Sequence, residues 1–220
     1  MKGIIRKKPN SSNLIIKEKL YKDYRLFYYL PLYKAAIKGD WETADKFIQK
    51  EPDAVRARIT VDSETALIVA VKMVGGKDFL EKLVEKMSPD DLAICDDGGR
   101  TALHRAAGFG NIEVAKLLVD KNRALPNMAT HLKDTALFYA AEHGDRKMVQ
   151  WLMPLMDEWC FIDIALKLLK RYHWLAHWDL EGEEDLKFHA LAILAGTPSS
   201  FKSGNNFNIL QEFIYSSLSP

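Results

Sequence analysis

His173 and His177 stand four residues apart, the spacing that puts two imidazoles on one face of a helix and within reach of one metal ion. Asp179 and Glu181 follow as oxygen donors, but no third ligand falls at a useful spacing. The neighbouring Trp174 and Trp178 point instead to an amphipathic helix that caps other structure. The run Glu181, Glu183, Glu184 and Asp185 holds paired carboxylates, the equipment of acid–base chemistry, yet it reads as an exposed solvated turn. The chain has no glycine-rich phosphate loop, no Gly-x-Ser-x-Gly elbow and no Cys-x-x-Cys pair. These residues do not converge on a site. The expectation is a non-enzymatic chain with no metal and no cofactor.

His104 leads to the organisation of the molecule. It belongs to Gly99-Arg100-Thr101-Ala102-Leu103-His104-Arg105-Ala106-Ala107-Gly108-Phe109-Gly110-Asn111, which is echoed by Thr65-Ala66-Leu67 and Thr135-Ala136-Leu137, and more weakly by Leu32-Tyr33-Lys34-Ala35-Ala36. The marking leucines lie at 32, 67, 103 and 137, in steps of 35, 36 and 34 residues. In the clearest copy Thr101 can cap a helix start, and Leu103, Ala106 and Ala107 share one helical face. Alanines on that face let neighbouring helices approach closely. Seven residues after the leucine comes Gly39, Gly110 or Gly144, suited to the left-handed residue that ends a helix. A second helix then returns. Its apolar side is Val114, Leu117 and Leu118, with counterparts Phe47 and Ile48, Leu83 and Val84, and Met148, Trp151 and Leu152.

Steps of 34 to 36 residues around a Thr-x-Leu-His-x-Ala core resemble the ankyrin repeat, whose period is about 33 residues and whose units form a quasi-linear stack of helix pairs. The fold expected is therefore all-α, an ankyrin-repeat solenoid of helix-turn-helix units with a divergent C-terminal cap. Its parts are a basic extension over 1–29, four repeats over 30–153, and a shortened cap and tail over 154–220. Repeat two departs from the pattern: Ser63 replaces the turn glycine, Ile68 the histidine, and Gly75-Gly76 arrives one residue late. In repeat four Lys133 and Phe138 stand where repeat three has Gly99 and His104. At that position a histidine is a hydrogen-bonding brace for the turn.

Three further blocks are similar to plant ankyrin-repeat proteins that carry a C-terminal "PGG" membrane domain. They are Leu30-Pro31-Leu32-Tyr33-Lys34-Ala35-Ala36-Ile37-Lys38-Gly39-Asp40-Trp41, Asp53-Ala54-Val55-Arg56-Ala57-Arg58-Ile59-Thr60, and Asp163-Ile164-Ala165-Leu166-Lys167-Leu168-Leu169-Lys170-Arg171-Tyr172. The resemblance spans residues 30 to 201 and implies an adaptor role in stress, hormone or defence signalling, without enzymatic activity. After Met153 only Pro154 to Cys160 precede the Asp163 helix, so that repeat is cut short. Its apolar residues, with Phe188 to Ala195, are expected to form a distorted cap less stable than the repeats. The sequence ends at Pro220 without a membrane segment, so attachment by its own anchor is not expected.

Composition agrees. Forty-eight percent hydrophobic residues in 220 is normal for a folded chain, and a net charge of +1 gives no general pull toward nucleic acid. No apolar run is longer than that from Ala190 to Ala195, far below the ~20 residues of a membrane helix. Cys95 and Cys160 fall on different repeats, which fits a reducing, cytoplasmic setting with both thiols as small apolar residues. Residues 1–29 carry eight basic side chains against Glu18 and Asp23. That segment reads as a solvated tail, with contact at a membrane surface as the alternative.

The function expected is reversible recognition of a protein partner. The contact stripe lies on the turn tips and the ends of the first helices. It comprises Val61, Asp62, Glu64, Lys72 and Met73; then Asp97, Arg100 and Phe109; then His131, Leu132, Asp134, Glu142 and His143. Met73 and Phe109 would be apolar anchors and Arg100 a charged contact.

Overall fold

The structure, a computed structural model, describes residues 24, 26–73, 76–156 and 167. The described chain runs through nine α-helices: α1 (Leu30–Lys38), α2 (Trp41–Lys50), α3 (Ala66–Lys72), α4 (Lys77–Lys86), a short α5 (Pro89–Leu92), α6 (Ala102–Gly108), α7 (Ile112–Lys121), α8 (Ala136–Glu142) and α9 (Arg146–Leu152). No strand forms among the described residues; one antiparallel bridge joins Ala129 to Thr135. The histidine pair, the acidic run, Cys160, Gly75, the basic segment up to residue 23 and the whole expected C-terminal cap apart from Lys167 lie outside the described residues.

Each pair of helices repeats the same local solutions. Thr65 and Thr135 open α3 and α8 by accepting the backbone N–H groups of Ile68 and Phe138, while Thr101 and His104 form a reciprocal box at the start of α6. Gly39, Gly110 and Gly144 turn the chain with φ of 69°, 67° and 70°. The left-handed conformation explains the glycines. At Gly110 space adds a second reason, because a Cβ would lie 2.6 Å from the Asp145 carboxylate. Asp40, Asn111 and Asp145 then cap α2, α7 and α9 on Thr43, Val114 and Met148. Gly76 leaves α4 without such a cap, so the irregular repeat two also starts its second helix less firmly.

The pairs stack in two layers. The first helices form one layer, in the order α1, α3, α6, α8; α2, α4 and α7 form the other. Ala35, Ala36, Ala70, Ala106, Ala107, Ala140 and Ala141 are all buried in the first layer, where small side chains permit close approach. Its helices touch more extensively than those of the second layer, which makes the first-helix side the inner one. Leu32, Leu67, Leu103 and Leu137 occupy its centre, none more than 1% exposed.

The outer layer is tied by longer reaches. Trp41 meets Phe79 edge to face at 5.9 Å, and Lys86 lies over the Trp41 ring while pairing with Asp45 at 2.9 Å. Lys121 donates to the carbonyls of Val84 and Glu85, answering the free carbonyl end of α4 from the next repeat.

Replacing Leu103 tests the stack. Leu103→Ala removes a fully buried side chain and is expected to cost about 2–5 kcal/mol in urea unfolding, with the neighbouring repeats melting together. A loss below about half a kcal/mol contradicts the core assignment.

Candidate partner-binding face

The tips are built alike from unlike residues. Each begins with a side-chain oxygen that closes the turn on a backbone N–H four residues on. Thr60 accepts from Glu64 at 3.0 Å, Asp96 from Arg100 at 2.9 Å, and Thr130 from Asp134 at 3.2 Å. The fourth residue of each tip has positive φ: Ser63 at 61°, Gly99 at 80° and Lys133 at 64°. Only Gly99 is a glycine, and there a Cβ would lie 2.7 Å from the backbone nitrogen of His131. Successive tips are joined by backbone bonds. Asp97 N–H donates to the Asp62 carbonyl at 3.0 Å, and His131 N–H to the Gly98 carbonyl at 3.2 Å. The tips form one hydrogen-bonded ladder.

Behind the ladder lies an ionic cluster. The Asp96 carboxylate is wholly buried and accepts the backbone N–H groups of Gly98 and Arg100, Nε of Arg100 at 2.9 Å and a terminal nitrogen of Arg105 at 2.8 Å. The same Arg105 nitrogen reaches Glu64 at 3.3 Å, and Lys72 pairs with Glu64 at 2.8 Å. Burial acts to raise the Asp96 pKa, but the Arg100 and Gly98 N–H groups, with the Arg100 and Arg105 charges, hold it below the usual carboxylate value.

His104 braces the same tip from inside. It is 1% exposed, and its Nδ1 accepts the Thr101 backbone N–H at 3.1 Å and lies 2.9 Å from the Thr101 hydroxyl. Its ring meets Tyr139 edge to face at 5.8 Å. Burial pulls its pKa down from 6.5 to about 4, opposed by the backbone carbonyls of Asp134 and Met128 and by the Asp96 charge, and assisted by Arg105. The imidazole is neutral at pH 7. Nε2 is buried away from solvent and completes no hydrogen bond among the described residues.

The residues named from sequence separate into two sets. Val61, Met73, Phe109 and Leu132 are exposed by 64%, 47%, 56% and 71%. Asp62, Asp97, His131 and His143 are exposed with them, Glu142 is half-buried, and His143 Nδ1 lies 2.9 Å from the Tyr139 carbonyl. Lys72 and Arg100 are half-buried members of the ionic cluster. Glu64 and Asp134 do not belong to an open contact stripe. Both are buried, Glu64 by its pairing with Lys72 and Arg105 and Asp134 beside Lys167, whose Nζ lies 3.8 Å from its carboxylate. Arg105 and Asp96 were not expected at the site. The second place after the leucine, Arg105 here, gives no distinguishing signal, since the other repeats have Lys34, Val69 and Tyr139 there. Among the described residues no three His, Cys, Asp or Glu side chains gather closely enough to hold a metal.

Residues 75–163 match the family model described as ankyrin repeats, in three copies. That stretch is similar to ankyrin repeats over 89 of the chain's 220 residues. The chain is also 29% identical over 123 residues to alpha-latrotoxin-Lhe1a of Latrodectus hesperus, a match that covers 56% of this chain and 9% of that protein. A chain from the crystal structure of the yeast ribosomal protein Rps3 in complex with its chaperone Yar1 superposes with a TM-score of 0.50. That likeness is at 22% identity and covers 55% of this chain and 87% of the other. The ankyrin-repeat solenoid expected from the sequence is thus the fold. No described helix is long and apolar enough to cross a membrane.

The depressed pKa of His104 sets a pH dependence. The folded state disfavours the protonated ring, so the unfolded state binds more protons. The neutral ring's contribution is present above pH 6.5 and is lost as pH falls from 6.5 to about 4, a difference of about 3 kcal/mol. Buried Asp96 adds a loss only at lower pH, once the carboxyl of the unfolded chain begins to protonate. Urea unfolding between pH 7 and 4.5 is expected to show falling stability, and His104→Gln, which keeps a capping acceptor, should flatten that fall. An equal slope in the two proteins contradicts this role for His104.

Proposed function

We propose that this chain is a reversible protein-binding scaffold that acts through the inner face of its ankyrin repeats. The observation that carries the reading is the pairing of a rigid tip ladder with exposed apolar side chains. Val61 and Leu132 stand on tips, and Met73 and Phe109 close two first helices. Groups held by backbone hydrogen bonds lose little conformational freedom on binding, so the apolar contact they make is offset by little ordering cost. Apolar side chains of this size, presented together, suit anchoring in a partner's pockets. A place in plant stress or defence signalling rests on the resemblance of the blocks at Leu30, Asp53 and Asp163 to the plant proteins with a membrane domain.

The test is capture of partners from extract of the native cell by the full chain and by a Met73→Ser/Phe109→Ser variant. Both positions are solvent-facing, so the melting temperature should hardly change. Capture of a specific protein is expected to fall about tenfold or more in the variant. Equal capture by the two proteins contradicts the use of this face.

A further inference from the structure

The ionic cluster beneath the tips shows its two signs of charge unequally. Its carboxylates are hidden: the side chains of Asp96 and Glu64 are 0% and 5% exposed. The cations face outward. Arg100, Lys72 and Arg105 retain 34%, 27% and 19% of their side-chain surface. These three positive charges meet only two negative ones, leaving an excess of one. Donors are also in excess. Both cluster contacts of Arg105 use one terminal nitrogen, and its Nε is buried without a hydrogen-bond partner. Arg100 engages Asp96 through Nε, and its terminal nitrogens bond to no described residue.

Gly108, next to Phe109, adds no side chain to the end of α6 where it faces α8. It occupies the place that Lys72 and Glu142 hold in the adjoining repeats, and presents no side chain there. A Cβ there would stand in ordinary packing contact with the His143 and Tyr139 rings, 3.8 Å away. Met73 and Phe109 close the helices on either side of the cluster.

We propose that the partner segment taken by this face is acidic and apolar. One Asp or Glu side chain pairs with Arg100, Arg105 and Lys72, and neighbouring apolar residues lie on Met73 and Phe109. The inference rests on the scaffold reading above and adds the chemistry of the ligand. A carboxylate fits because guanidinium groups with unused N–H donors bind it through charge-assisted, directional hydrogen bonds. The exposed Asp62 and Asp97 on the tips confine the positive field to the floor. That arrangement selects a single carboxylate and repels a polyanion such as nucleic acid.

The experiment is selection of a phage-displayed library of random peptides on the full chain. Enrichment of Asp or Glu beside Leu, Ile, Phe or Met is the expected result. Affinity for an enriched peptide should fall about tenfold in Arg100→Gln and in Lys72→Gln, and should weaken with added salt. Asp96 keeps its two backbone donors and Arg105 when Arg100 is changed, so that variant should fold; Lys116→Gln, on α7, should bind as the parent does. Basic or charge-indifferent peptides, bound with Phe109-dependent affinity, overturn the acidic specificity and leave the scaffold reading standing. Recovery of no specific peptide overturns both.

Discussion

The buried carboxylate of Asp96 is the constraint on which the working face depends. A charge with no exposed surface is stable in the interior only if its lone pairs are filled, and Asp96 fills them with two backbone N–H groups and two guanidinium groups. Those donors fix three things together: the path of the tip from Asp96 to Arg100, the stance of Arg105 on α6, and through Arg105 the position of Glu64 on the preceding tip. Such a cluster contributes geometry more than net stability, because pairing of the charges roughly repays their loss of water.

Stability comes from elsewhere in the stack. The buried leucines and alanines of the first helices, and the apolar sides of α4 and α7, supply the contact that holds successive repeats together. Small side chains in the inner layer draw those helices close, which lines the tips up and allows the backbone ladder from Asp62 to Asp97 and from Gly98 to His131. Rigidity at the tips therefore follows from packing beneath them, and the exposed Val61, Met73, Phe109 and Leu132 inherit it.

Much of this was legible in the sequence because it depends on local rules. The leucine spacing, the threonine caps and the glycines at 39, 110 and 144 each answer to the geometry of one helix end, and each stands as expected. His104 reads correctly as a brace for the same reason. The ionic cluster was not legible because its partners are remote: Arg105 and Glu64 are 41 residues apart, and nothing near either announces the other. Glu64 and Asp134 consequently looked like surface residues, as charged tip positions ordinarily are, although burial of paired carboxylates removes both from the open face. Ser63 and Lys133 show the opposite limit. They hold the left-handed position without glycine, so the turn geometry is set by its surrounding hydrogen bonds as much as by residue type.

A double-mutant cycle between Glu64 and Arg105 tests the central claim most directly. Glu64→Gln, Arg105→Gln and the double variant would be compared with the parent by urea unfolding at neutral pH. If the cluster ties one repeat's tip to the next, the two changes will be non-additive, with a coupling energy of about 1 kcal/mol or more, as for contacting residues in one network. Additivity within a few tenths of a kcal/mol would show that Arg105 does not link the tips, and would contradict the account of a face held rigid by Asp96 and its partners.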